Sequence, residues 1–230
     1  MSWFFGKHSV AEPARTPGRR SLALRALLAG LRPGSRHSVL DLGPPLADNI
    51  EFLAGLSCRV RIVDLQRSLS AEPLENTAER AMPALLERLL PVEPDERYDV
   101  FLAWDVFDYL RPDQVSSLME RLLPLWQPQA RALVLLSTGQ KIPAKPVRHR
   151  IVDLETIADE GSRQPTRKGP RYSELHLARM MRGFSVSHRV LLKSGMQEYL
   201  LVRGAGMGAR AAVTGGNAVA PAKRTWFRQR

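Results

Sequence analysis

The sequence predicts an α/β fold, with a mostly parallel β-sheet that closes in an antiparallel hairpin. Short apolar segments alternate with amphipathic segments through the first two thirds of the chain, which is typical of strand–helix–strand units. The last two apolar segments, 184–192 and 198–202, are separated only by a turn at Ser194-Gly195, which predicts a hairpin. The chain has 230 residues and one cysteine, so we expect one sizeable domain held by a hydrophobic core rather than by disulfides.

The elements of the first half follow from their end signals. A helix begins after Ser21, whose hydroxyl can cap it, and ends at Pro33-Gly34. A buried strand over 38–42 stops at Gly43-Pro44-Pro45. Further strands and helices are predicted over 47–56 (helix), 59–64 (strand), 72–90 (helix) and 98–103 (strand). No strand pattern is found between 74 and 97.

The second half continues the same alternation. Pro112 opens an amphipathic helix, and the segment 132–137 is apolar on both faces, which predicts a central strand. Ser173 caps the last helix, which stops at Gly183 before the closing hairpin. Between these elements lies the segment 141–171, which is basic and too long for a simple connection, so we expect a lid or substrate loop.

The net charge of +11 is unevenly distributed. Residues 1–36 and 203–230 each carry +6, whereas residues 37–140 carry −7. We expect a flexible basic leader over 1–20, a folded domain over 21–203 and a disordered basic tail over 204–230. The basic ends are either solvated tails or a means of binding nucleic acid. No signal peptide or membrane-spanning run is present, which predicts a cytoplasmic protein, and no oligomeric state is predicted.

Two acidic residues end neighbouring predicted strands. Asp41 and Gly43 precede a helix N-terminus, an arrangement that can hold the polar part of a nucleotide-like ligand. Asp64 ends the second strand, where a carboxylate can accept both hydroxyls of a ribose. The alternative is that both carboxylates only cap strand ends. The chain has no Gly-x-Gly-x-x-Gly turn, no phosphate-binding loop and no multi-cysteine zinc site, and no metal site is predicted.

Five segments together resemble the class I S-adenosylmethionine-dependent methyltransferases. They are Val39–Gly43, Val63-Asp64, Tyr98–Asp105, Leu133–Leu136 and Arg182–Phe184, and their order and spacing extend over roughly residues 22–203. The resemblance implies a Rossmann-like, seven-stranded sheet and S-adenosylmethionine as the cofactor. It implies that Asp41 and Gly43 belong to the cofactor-binding motif, with the turn at Gly43 facing the methionine end. It also implies that Asp64 binds the ribose, and that Ala103, Trp104 and Asp105 line the cofactor and substrate pocket. Two glycines of the family's first motif are replaced here, by Pro45 and Ala47.

Methyl transfer needs a general base only when the acceptor must lose a proton. Asp105, Tyr109 and His149 are the candidates, and Arg148 and Arg150 of the basic segment are candidates for binding an anionic acceptor. The sequence thus predicts a methyltransferase for a small-molecule or lipid-like acceptor. Two alternatives remain open: a non-catalytic binding or scaffold protein with this fold, which Pro44, Pro45 and Leu46 favour, and an RNA-associated methyltransferase recruited by the basic ends.

Overall fold

The computed structural model of the chain describes residues 17–32, 34–71, 77–93, 95–160 and 164–204. The strands in chain order are β1 (Arg19–Arg20), β2 (His37–Asp41), β3 (Cys58–Ile62), β4 (Tyr98–Trp104), β5 (Trp126–Ser137), β6 (Lys141–Pro143), β7 (Arg148–Asp153), β8 (Thr156–Glu160), β9 (Thr166–Lys168), β10 (Phe184–Leu191) and β11 (Met196–Arg203). The helices are α1 (Leu22–Leu28), α2 (Ala47–Gly55), α3 (Leu65–Ala71), α4 (Met82–Leu89), α5 (Pro112–Leu122) and α6 (Glu174–Met180). Short 3₁₀ turns lie at Glu79–Ala81, Val106–Tyr109 and Leu123–Leu125.

The main sheet has the order β10-β11-β5-β4-β2-β3. Strands β3, β2, β4 and β5 run parallel, whereas β11 is antiparallel to both β5 and β10. This confirms the predicted parallel sheet with a closing antiparallel hairpin. The predicted count of seven strands is wrong for the described residues, which form six in this sheet. Between β3 and β4 the described residues form α3, a 3₁₀ turn and α4, joined by irregular segments that include 77–78 of the predicted helix, and no strand. Pro83 lies in the first turn of α4, whose apolar face packs inward; residues 72–76 and 94 lie outside the described part.

Each face of the sheet carries its own apolar core. On one face, α1 and α2 pack through Leu24, Leu27 and Leu53 against the strands. On the other face, α4, α5 and α6 supply Leu86, Leu118, Leu177 and their neighbours. The strands therefore lie between two helical layers, as expected for a parallel sheet whose residues are apolar on both sides.

The predicted helix caps are present. The Ser21 hydroxyl oxygen accepts a hydrogen bond from Leu24 N at 3.1 Å, and the Ser173 hydroxyl oxygen accepts one from His176 N at 3.2 Å. Gly183 has a φ of 89°, a left-handed conformation that suits glycine after the end of α6. Both helices therefore begin where the sequence places them.

The basic segment 141–171 folds into short strands rather than an open loop. Strands β7 and β8 pair with each other, and β1 adds to β8, so Arg19 and Arg20 of the predicted leader belong to this small sheet. Strands β6 and β9 form a second, two-stranded sheet. Residues 1–16 of the predicted leader and 205–230 of the predicted tail lie outside the described residues, so the domain boundaries stay a prediction.

The topology points to one edge of the main sheet. After β2 the chain adds β3 on one side and then crosses to β4 on the other side, so β2 and β4 flank the point where strand order reverses. Ligands of open α/β sheets bind outside the carboxyl ends of the strands at such a point. Asp41 ends β2 and Trp104 ends β4, so two predicted site residues face each other there. No helix of the described residues is both long and apolar enough to cross a bilayer.

Candidate functional site

Asp41 and Trp104 meet at the carboxyl ends of β2 and β4. The Asp41 carboxylate oxygen Oδ1 accepts hydrogen bonds from Gly43 N at 2.8 Å and from Trp104 Nε1 at 2.7 Å. Burial raises the pKa of Asp41 to about 6, although these two hydrogen bonds act to lower it. The acid of the predicted cofactor motif is therefore held by the chain's own donors.

The indole of Trp104 packs directly on Gly43. A Cβ atom added to Gly43 would lie 2.8 Å from indole atoms Cδ1 and Nε1, so only glycine fits beneath this ring. Trp104 itself has a φ of 50°, a left-handed conformation that is costly for a bulky residue. The side chain is 1% exposed. The backbone strain at Trp104 is thus compensated by complete burial of the ring and by its bond to Asp41.

The His149 ring stacks on the indole of Trp104. The two rings lie 5.5 Å apart between centroids with an interplanar angle of 21°, which is a stacked arrangement. His149 Nδ1 lies 2.8 Å from Asp159 Oδ1, and Nε2 lies 3.6 Å from Asp105 Oδ1, too far for a hydrogen bond. Burial lowers the pKa of His149, but the carboxylates of Asp105 and Asp159 outweigh it and raise the pKa to about 9. The ring therefore lies buried between two carboxylates, and this raised pKa favours its protonated form at neutral pH.

Asp105 connects three parts of the fold. Its Oδ1 accepts a hydrogen bond from Gln66 Nε2 at 3.0 Å, and its Oδ2 accepts one from Val147 N at 2.8 Å. Gln66 also donates to the Val147 carbonyl oxygen at 3.1 Å. The end of β4, the start of α3 and the strand-rich segment 141–171 are thus tied together across the mouth of the crevice.

Asn49 holds strand β7 from the opposite helix. Its Nδ2 donates to the His149 carbonyl oxygen at 2.9 Å, and its Oδ1 accepts from Ile151 N at 2.7 Å. The side chain is 3% exposed. The Asn49 side-chain amide therefore takes the place of a neighbouring strand: it fixes β7 against α2 by bonding to backbone atoms of β7.

The remaining predicted base has a structural contact. The Tyr109 hydroxyl lies 3.1 Å from the Pro143 carbonyl oxygen and 2.8 Å from that of Lys145, both acceptors of its one proton. Burial raises the pKa of Tyr109 well above its ordinary value. Nearby, Asp108 Oδ2 accepts from Ser137 N at 2.8 Å, and burial raises the pKa of Asp108 well above the ordinary range. Tyr109 thus holds the 141–171 segment by its backbone.

The other predicted site residues, all of which the structure describes, form no hydrogen bond with Asp41, Trp104 or the His149 ring. Asp64 is half-buried, and its Oδ1 accepts from Arg67 N at 2.9 Å in the first turn of α3. Ala103 is fully buried within β4. Side chains alternate along β7, so His149 points inward while Arg148 is exposed and Arg150 pairs with Glu160 at 3.0 Å. The expected convergence of Arg148, His149 and Arg150 on one acceptor is therefore not seen.

Several residues of the cluster carry no sequence signal of their own. Asn49, Gln66 and Asp159 lie far apart in the chain and belong to no motif, so only the packing of 141–171 on the sheet brings them in. Arg19 extends the cluster: its Nε donates to Asp159 Oδ2 at 2.9 Å, and its guanidinium pairs with Glu198. Glu198 is completely buried and also accepts from Ser21 Oγ at 2.9 Å and Ala23 N at 3.3 Å.

These side chains do not fit a bound S-adenosylmethionine in this arrangement. The indole of Trp104 packs on Gly43, which is buried, and occupies Asp41 with a hydrogen bond, so neither residue is open to a ligand. Pro44 and Pro45 contribute no backbone N–H groups to hold a carboxylate. The described residues also hold no group of three or more His, Cys, Asp or Glu side chains placed to bind a metal ion.

Comparison with known proteins finds likenesses at the level of structure. No family model matches the sequence, and no curated protein matches it. The pyocyanin biosynthetic protein PhzM matches with 15% identity over 80% of this chain and a TM-score of 0.43, and this chain spans 55% of that protein. The Burkholderia thailandensis 1,6-didemethyltoxoflavin-N1-methyltransferase, with bound S-adenosylhomocysteine, matches with 19% identity over 80% of this chain and 79% of its own, with a TM-score of 0.43.

A third likeness is to the magnesium protoporphyrin IX methyltransferase of Synechocystis PCC 6803 with bound SAM, at 12% identity over 79% of this chain and 76% of that chain, with a TM-score of 0.45. Identities and TM-scores this low say nothing about substrate or mechanism, so the fold rests on the strand order of this chain. That order, the parallel centre and the closing antiparallel hairpin give this chain the fold of the class I S-adenosylmethionine-dependent methyltransferases, with six strands in the main sheet of the described residues.

Proposed function

We propose that this chain is a non-catalytic binding protein with the methyltransferase fold, and that its own side chains fill the crevice that the cofactor occupies in the enzymes. The observation that carries this proposal is the position of Trp104, whose indole covers Gly43 and donates to Asp41. A ligand that reached the Gly43 turn would first have to displace this ring.

Displacing the Trp104 ring would also break buried polar contacts. Asp41 would lose its bond from Trp104 Nε1, and the stacked His149 ring would lose its neighbour. Each buried polar group left without its partner costs about 1–3 kcal/mol. Asp105 also accepts hydrogen bonds from Gln66 and Val147 N next to this ring. Opening the crevice would break these bonds as well, so the free-energy cost adds up.

Calorimetric titration with S-adenosylhomocysteine tests the proposal. We expect no binding heat from the wild-type chain at millimolar ligand, and no change when Asp64 is replaced in Asp64→Ala. The variant Trp104→Ala separates the causes, since binding that appears only in this variant would identify the indole as the obstruction. Micromolar binding by the wild type would refute the proposal.

A second candidate is the methyltransferase for a small-molecule or lipid-like acceptor. The half-buried Asp64 favours it, because it is a carboxylate at the carboxyl end of β3, beside Asp41 at the end of β2. Under this candidate S-adenosylhomocysteine binds the wild type, and Asp64→Ala weakens that binding about tenfold or more. Arg148→Ala and Arg150→Ala would then lower turnover of an anionic acceptor and leave cofactor affinity unchanged. A cytoplasmic location remains a prediction for either candidate.

A further inference from the structure

The His149 side chain is enclosed by groups that together suit a cation. We define the cage as Trp104, Asp105 and Asp159. Trp104 supplies an aromatic face, which attracts cations through the negative face of its ring, and the two carboxylates lie at the two ring nitrogens of His149. The His149 side chain has no exposed surface.

The walls of the cage are held independently of the His149 ring. Asn49 binds strand β7 through the backbone of His149 and Ile151. Asp105 is fixed by Gln66 and Val147 N. Asp159 keeps the hydrogen bond from Arg19 Nε at 2.9 Å, and Trp104 keeps its bond to Asp41, so each wall of the cage retains a partner when the ring is removed.

One polar atom in the cage lacks a hydrogen bond. His149 Nε2 is buried and has no hydrogen-bond partner among the described residues, since Asp105 Oδ1 lies 3.6 Å away. The contact on that side is therefore between charges rather than a directed hydrogen bond. The cage holds the His149 ring by charge and by the aromatic face of Trp104. A free ligand with the same charge and shape can therefore bind there without a covalent link to the chain.

We propose that His149 is the built-in occupant of a cation-binding cage formed by Trp104, Asp105 and Asp159, and that this cage binds a free planar organic cation, imidazolium, when the His149 ring is removed. The inference rests on the proposed function in one respect, because both place the cage inside a closed crevice. It differs in assigning the crevice a ligand chemistry: a flat cation between two carboxylates.

Rescue of the variant His149→Gly tests the cage. We expect imidazole, near neutral pH, to raise the thermal midpoint of this variant in a saturable way, by about 3–6 °C at ten times the dissociation constant. Pyrazole has the same ring shape but stays neutral, so it should give no comparable shift. The matched variant His188→Gly, at an exposed histidine of β10, should not respond to imidazole. An equal response to imidazole and pyrazole, or none to either, would overturn the proposal.

The wild type provides a second measurement should His149→Gly not fold. Among the five histidines of the chain, the His149 ring should show the nitrogen chemical shifts of an imidazolium at pH 8, with the signal assigned by its loss in His149→Phe. A neutral ring at pH 8 would overturn the proposal. Failure of the proposed function remains distinguishable, because it would appear as binding of S-adenosylhomocysteine to the wild type and not in either imidazole experiment.

Discussion

His149 shows how a single buried charge couples this fold to pH. Its folded pKa of about 9 lies above the ordinary histidine value of about 6.5, so folding favours the protonated ring. The stabilisation is complete below pH 6.5 and is lost as pH rises through 9. The raised pKa of Asp41 acts in a lower range, between its ordinary value and about 6, and leaves this window unaffected.

We therefore predict that the wild-type chain loses about 2 kcal/mol of unfolding free energy between pH 6.5 and 8.5 through His149. Urea unfolding at the two pH values measures this loss. In His149→Gln, whose side chain does not titrate, the loss should largely disappear. An equal loss in the variant would show that another group is responsible.

Trp104→Phe isolates the bond between the indole and Asp41. Phenylalanine keeps most of the buried aromatic surface but removes the Nε1 donor, leaving the Asp41 carboxylate with Gly43 N alone. We expect a loss of about 1–3 kcal/mol in urea unfolding at pH 7 and a smaller loss below pH 5, where Asp41 is protonated. A constant loss across this range would mean that packing, not the hydrogen bond, is what the substitution removes.

At this scale the sequence predicts the sheet-edge residues well and their partners poorly. Asp41 and Gly43 lie beside Trp104 because the carboxyl ends of the adjacent parallel strands β2 and β4 lie together, whereas the part of Asp64 and Asp105 in one site stays a prediction. The hydrogen bond between Trp104 and Asp41 was not predictable, because it depends on the side-chain rotamer of Trp104 and on its unusual backbone conformation. Alternation along β7, which separates His149 from Arg148 and Arg150, required knowing that 148–153 is a strand.

Among the elements, the strand-rich segment 141–171 is held by side chains of other elements that bond to its backbone atoms. The Asn49 side chain of α2 forms hydrogen bonds with β7, and the Tyr109 hydroxyl forms one with the Lys145 carbonyl oxygen, just after β6. The sequence identifies the segment by its length and charge, but its strands are short and carry few β-branched residues in regular alternation. Their structure depends on tertiary partners rather than on local propensity.

We predict that Asn49→Ala destabilises the chain by about 2–4 kcal/mol, because two buried backbone groups of β7 lose their partner. Limited trypsin digestion should cut faster at Arg148 and Arg150 in this variant. The matched control is Asp48→Ala on the neighbouring position of α2, whose carboxylate is exposed and pairs with Arg150 at 3.4 Å. We expect that control to change stability by less than about 1 kcal/mol. Equal effects from both substitutions would contradict the role given to Asn49.

For the whole molecule, charge separates the described body from the chain ends. Residues 1–16 and 205–230 together carry six of the eleven net positive charges. The RNA-associated alternative therefore predicts that the full chain binds RNA with an affinity that falls steeply as salt rises, and that a chain of residues 17–204 loses most of that affinity. Filter binding across a salt series measures both. Equal affinity of the two chains would contradict this alternative.

The order of strands and the closing hairpin were predictable at this scale because periodicity and chain connectivity determine them together. The absence of a seventh strand in the main sheet of the described residues follows from the helical pattern between β3 and β4, where Met82 and Leu86 face the core. The joining of β1 to the 141–171 segment was not predictable, since two residues carry no periodic signal.

The buried Glu198 has a consequence for how the chain is made. It receives Arg19, Ser21 and the first turn of α1, which are synthesised about 175 residues before it. At roughly 5–20 residues per second, a ribosome leaves these groups without their partner for about 10–35 s. During that time the apolar face of α1, which packs against β5, β10 and β11, has no complete surface to cover it. Strand β11, which carries Glu198, thus completes the surface that covers α1, and it is translated long after that helix.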